Sequence, residues 1–136
     1  MLTLHKVLKV SPDGSTITTF AGDGQTPTSL AHLGDGGPAV NARIDRPAGV
    51  SVDAQDNVYI VDNVAHRISK VTTDGILHII AGSGSPVSGL FGGAFSGDGG
   101  SPLAARFNRP EGVHVAPDGS VYITDGSNNR VRKIAY

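Results

Sequence analysis

The chain has 136 residues, 38% of them hydrophobic and 17% charged, with a formal net charge of -1. That balance fits one globular domain rather than a disordered chain, and it supplies no concentrated basic surface for nucleic acid. Cysteine is absent, which excludes disulfides, thiolate metal sites and a thiol nucleophile, and no apolar run approaches the roughly 18 residues of a membrane-spanning helix.

Nineteen glycines against 5% aromatic residues indicate short strands joined by tight turns, because glycine supplies the positive φ that such turns need. Residues 5–22 read as the last two strands of a unit: His5–Val10, the turn Ser11-Pro-Asp-Gly14, then Ile17–Gly22. Residues 48–81 hold a complete unit of four strands, here termed a to d. These are Gly49–Asp53, Val58–Asp62, Arg67–Val71 and Ile76–Ile80, with Asp74-Gly75 as the hairpin signal between c and d. Residues 109–135 repeat strands a, b and c. Long glycine-rich connectors, Gly22–Asp45 and Gly82–Asn108, join the units, and no segment carries a helical stripe.

Internal repetition dominates. Residues 34–71 align without a gap onto residues 97–134, offset by 63, with 17 of 38 positions identical. Shared positions include Gly34-Asp-Gly-Gly37 with Gly97-Asp-Gly-Gly100, Arg46-Pro47 with Arg109-Pro110, and Val58-Tyr-Ile60 with Val121-Tyr-Ile123. The opening segment aligns with His66–Gly82. Four short antiparallel strands recurring in series are the pattern of a β-propeller blade, an all-β architecture in which neighbouring blades cover each other's faces.

The pattern Arg109-Pro-Glu-Gly-Val-His-Val115, a turn, Val121-Tyr-Ile-Thr-Asp125 and Gly126-Ser-Asn-Asn-Arg-Val-Arg-Lys-Ile134 resembles the NHL repeat. The likeness covers almost the whole chain; Asn63-Val-Ala-His66 departs from the asparagine-rich turn. The resemblance implies closed propellers, often six-bladed, that serve mainly as interaction or ligand-binding platforms. It also implies a rival reading, a metal-dependent hydrolase or lyase with its site at the channel mouth.

Even a four-bladed ring needs about 160 residues at roughly 40 per blade. Head-to-tail contact of identical chains closes a ring when the rotation divides a full turn. Two blades per chain and a six-bladed preference give a C3 trimer, in which residues 112–134 take strand Ile17–Ala21 from the next chain. Strand c is then present twice, at 5–10 and 130–135, and the sequence does not choose which copy is displaced. A truncated piece of a longer protein is the alternative.

Candidate chemistry is sparse. Asp62 with Arg67, and Asp125 with Arg130, recur across the b–c corner and read as structural pairs; Tyr59 and Tyr122 read as repeated blade packing. Arg130, Arg132 and Lys133 form the one tight basic cluster, expected to be a solvated strand face. The Asp-Gly pairs lack the spaced carboxylates of a calcium loop and are assigned to turns. Gly82-Ser-Gly-Ser-Pro86 lacks the lysine and helix of a phosphate loop.

Glu111 and His114 break the repeat, replacing Ala48 and Ser51 on the innermost strand. They are the candidates for a divalent metal, weighed against a rim carboxylate and an inter-blade imidazole. No other cofactor is expected. His5, His32, His66 and His78 share no ligand spacing and are expected to be exposed. The sequence leaves the compartment open: Met1–Val7 lacks the features of a secretory signal, and an oxidising space tolerates a cysteine-free chain. The sequence is thus read as a non-enzymatic scaffold for protein or small-molecule ligands, assembled as a homo-oligomer, with no nucleic-acid or membrane partner expected.

Overall fold

The computed structural model describes residues 5–27, 33–83 and 93–135. Among the described residues, nine strands form three antiparallel sheets. The first sheet pairs β1 (Val7–Val10) with β2 (Ile17–Ala21). The second runs in the order β3 (Pro47–Val52), β4 (Val58–Asp62), β5 (Arg67–Val71) and β6 (Leu77–Ala81). The third comprises β7 (Pro110–Val115), β8 (Val121–Asp125) and β9 (Arg130–Ile134). Sequence order equals sheet order throughout, so each sheet is a meander whose strands alternate their two faces.

The apolar cores lie between sheets. Val7, Phe20 and Ala21 of the first sheet pack with Ile60, Val71 and Leu77 of the second. The opposite face of the second sheet supplies Tyr59, Val61 and Ile68, which pack with Val121, Ile123 and Ile134 of the third and with Phe107. The middle sheet is therefore buried on both sides, and Ile60, Val61 and Ile68 are fully enclosed. Strands β3 and β7 run side by side, and Gly49 makes that approach possible: a Cβ there would meet the Glu111 carbonyl oxygen at 2.8 Å.

Among the described residues the two outer sheets are covered on one face only. Val10 and Ile17 are 55% and 65% exposed, whereas their counterparts Val71 and Leu77 are buried. At the other end Val131 is 69% exposed, whereas Ile68 is buried. Val50 and Val52 of β3 are also open, because among the described residues the first sheet contributes only β1 and β2.

The connectors carry packing. Gly36 donates its N–H to the Leu77 carbonyl (2.8 Å), and Leu77 donates to the Gly37 carbonyl (2.9 Å). Ile79 donates to Asp35 Oδ1 at 2.9 Å, so residues 35–39 cover the outer edge of β6. An uncovered edge would offer its unpaired backbone groups to other strands. Among the described residues no helix is long and apolar enough to cross a membrane.

Candidate functional site

The b–c corners are held by buried carboxylates. Asp62 lies opposite Arg67 in the β4–β5 ladder, but its oxygens accept the N–H groups of Asp45 (3.1 Å) and Ala65 (3.0 Å). Burial pushes the Asp62 carboxyl up to about 7, against those two hydrogen bonds and the attraction of Arg67. The Arg67 guanidinium instead donates from Nη2 to the Ser83 carbonyl (3.1 Å), and its desolvation lowers its pKa.

The third sheet uses a different arginine. Asp125 accepts from the Asn108 N–H (2.8 Å) and from Asn128 Nδ2 (2.8 Å), and its cation is Arg132, at 3.5 Å. Arg130 lies outside, with its guanidinium 3.5 Å from the centroid of the Phe95 ring. Arg132, expected with its neighbours on a solvated face, is 8% exposed. It donates to the carbonyls of Arg106 (2.6 Å) and Ser96 (2.8 Å) and pairs with Asp98 (2.7 Å). The reason is positional: residue 132 replaces the buried Ser69 and, on the pleat, faces the same core as Ile123 and Ile134.

The histidines also depart from expectation. His66 is 1% exposed, and its Nδ1 accepts the Arg109 N–H at 2.9 Å. His5 repeats the arrangement, accepting the Arg46 N–H at 3.3 Å. All four residues adopt positive φ, and each pair fastens the start of strand c in one sheet to the start of strand a in the next. The alignment of His5 with His66 was visible in the sequence; a search for metal-ligand spacing hides it. His78 is exposed, and His32 lies outside the described residues.

Tyr59 is buried at 4% exposure, and its hydroxyl donates to Asp53 Oδ2 at 3.3 Å. Burial and the negative charge of Asp53 raise its pKa. Burial also acts to raise the Asp53 pKa, but hydrogen bonds from Asn57, Gln55 and Tyr59 outweigh it and hold the carboxyl low. Tyr122, the counterpart, is 37% exposed because no sheet lies over it among the described residues. Lys70 sits over the Tyr59 ring and Lys133 over Tyr122, each at 5.5 Å, as cross-strand pairs.

Between the second and third sheets lies an open cleft of about 960 Å³, lined by Asp53, Tyr59, Lys70, His78, His114 and Asp118 among others. Glu111 does not share it. That residue falls within the irregularity between Pro110 and Gly112, and its carboxyl lies against Gly126, whereas His114 stands opposite Tyr122. The structure thus separates the two metal candidates, and among the described residues no three His, Asp or Glu side chains gather as a metal site. The cleft brings together an imidazole pair, an ammonium, a phenol and two carboxylates on paired strands and tight turns. That mixture suits polar recognition along a groove.

Three of the Asp-Gly turns are closed by local bonding, whereas Asp35 and Asp98 reach the distant Ile79 and Arg132. Ser11 and Ser15 hold the Asp13 carboxyl down at about 2, Thr72 and Ile76 lower Asp74, and Ser120 lowers Asp118.

The sequence profile of the Teneurin NHL domain matches residues 4–89 and again 64–135. Teneurin-1 of Homo sapiens is 31% identical over 103 residues, which is 71% of this chain and 4% of that protein. NHL repeat-containing protein 2 of Bos taurus is 28% identical over 136 residues, covering 93% of this chain and 17% of its own length. Among solved structures, a protein of unknown function from Bacteroides thetaiotaomicron superimposes with a TM-score of 0.74 at 29% identity, over 97% of this chain and 30% of that one. The chain therefore spans a small part of the relatives it matches and about a third of the similar structures.

Proposed function

Because the chain belongs to the Teneurin NHL domain family of NHL-repeat proteins, we propose that it acts as a non-enzymatic binding scaffold. In this reading, copies join head to tail into a six-bladed ring of three chains. The observation that carries the proposal is the unequal burial of equivalent residues. Val10, Ile17 and Val131 are exposed at the two ends, where Val71, Leu77 and Ile68 are enclosed in the middle. Apolar side chains left open where their equivalents are enclosed support contact with a further blade at each end.

The binding role rests on the cleft between the second and third sheets, where His78, His114 and Asp118 line a groove held between stacked blades. Rigid sheets that present variable loops and grooves suit polypeptide recognition. The test is selection of displayed peptides on the assembled protein, with counter-selection on a Lys70→Ala/His114→Ala variant. Enriched peptides that lose at least tenfold in affinity on the variant support the cleft as the recognition site. Failure to enrich any such peptide contradicts it.

A further inference from the structure

Two arginines sit at the b–c corner end of the second and third sheets. Arg46 and Arg109 occupy equivalent places, each directly before the proline that opens its sheet's first strand, Pro47 of β3 and Pro110 of β7. Both hold left-handed backbone, with φ of 58° and 50°. That region is strained for a residue with a Cβ, and a following proline favours extended backbone instead. Glycine would take the place without strain.

The backbone at each arginine is pinned. Asp45 donates its N–H to Asp62 Oδ2 at 3.1 Å, and Arg46 donates its own to His5 Nδ1 at 3.3 Å. One repeat later Asn108 donates to Asp125 Oδ1 at 2.8 Å, and Arg109 to His66 Nδ1 at 2.9 Å. The side chains have no such ties. Both arginines are exposed, and among the described residues neither guanidinium has a hydrogen-bond or ion-pair partner. Arg46 is open although its sheet has a neighbour on each face, so the exposure belongs to the corner itself. Carboxylates and imidazoles thus fix a strained residue whose charged end is left in solvent, and the arrangement occurs twice.

We propose that Arg46 and Arg109 together bind acidic polypeptide, as an extended segment with carboxylates two residues apart. Strands β3 and β7 run side by side at this end, where a Cβ on Gly49 would meet the Glu111 carbonyl oxygen, and stacked sheets lie about 10 Å apart. In an extended chain, alternate side chains share a face about 7 Å apart, a difference that two long arginine side chains close. Each guanidinium offers a carboxylate two parallel N–H donors. Glu111, exposed two residues after Arg109, sets the selectivity. Its carboxylate repels a continuous run of phosphates, whereas a peptide presents a neutral or basic residue there. The cleft lined by Asp53 and Asp118 lies at the other end of these strands, so this site is separate from it and independent of any assembly of copies.

The test is fluorescence anisotropy of the full chain with three labelled probes: a peptide of alternating glutamate and serine, its lysine–serine counterpart, and a single-stranded oligothymidylate. Binding of the glutamate peptide, weakened by salt, is expected, and it exceeds that of the other two. Arg46→Gln and Arg109→Gln should each lose about tenfold in affinity, and Arg130→Gln, which removes an exposed arginine at the same end of the third sheet, less than about twofold. Arg46→Gly/Arg109→Gly separates display from a structural role: it should unfold at the parent's temperature or above while losing the peptide. A parent that does not bind the glutamate peptide, an equal loss from Arg130→Gln, or a glycine variant that unfolds at a lower temperature overturns the proposal. Oligothymidylate bound more tightly than the peptide, and lost on the same variants, overturns the assignment to polypeptide in favour of nucleic acid.

Discussion

His66 Nδ1 accepts the backbone N–H of Arg109 at 2.9 Å across the junction between the second and third sheets. An imidazole in this role must be unprotonated at Nδ1. The same contact recurs between His5 and Arg46, where Asp45 Oδ1 also lies 3.3 Å from Nδ1.

Replacing His66 with alanine should cost about 1–3 kcal/mol, since it strands a backbone donor and leaves a non-glycine residue at positive φ. His66→Asn should cost less, because asparagine tolerates this conformation and already occupies the equivalent position 129. Urea denaturation of the two variants checks the order, and equal losses would remove the hydrogen bond from the account.

Asp62 should impose a pH dependence of its own. Its carboxyl is raised from 3.8 to about 7 by burial, so between these values the folded chain holds more protons than the unfolded one. The contribution is full below about pH 4 and is lost as pH rises through about 7, on the order of a few kcal/mol. The difference in stability between the parent and Asp62→Asn, followed from pH 4 to 8, should decline along that window. A flat difference would contradict the assignment.

Two glycines of the same sheet should respond differently to alanine. Gly82 has φ 95°, and a Cβ there would collide with the His66 carbonyl oxygen; Gly75 has φ 83° with nothing within 4 Å. Gly75→Ala should cost about 1 kcal/mol from backbone conformation alone. Gly82→Ala should cost at least about 3 kcal/mol, because backbone must move as well. Thermal unfolding distinguishes them.

Much of this was legible in the sequence, for a definite reason. A blade strand alternates its faces every second residue, and an offset of 63 repeats whole elements, so the NHL resemblance and the all-β antiparallel fold could both be read. The corner chemistry was not. Asp125 and Arg130 repeat Asp62 and Arg67 in sequence, yet Arg132 is the cation at Asp125. Identity at a repeat position does not fix which of two arginines on one face turns inward. The role of residues 35–39 along β6 was hidden as well, because backbone hydrogen bonds to a distant strand leave no side-chain signature.

Arg132→Ser, which installs the residue of the middle sheet, should therefore cost about 3 kcal/mol, since buried Asp125 would lose its cation. Amide exchange of Ala105 and Arg106 should accelerate in the same variant. Arg130→Ser should change stability by no more than about 1 kcal/mol, because its stack on Phe95 lies at the surface. Similar losses from both would show that the two arginines share the load.

Sedimentation equilibrium of the parent chain across a wide concentration range, beside Val131→Glu, tests the central claim most directly. A parent mass of three chains, with the variant reduced to one, is the predicted result. A parent that stays at the mass of a single chain at every concentration would contradict the assembled ring.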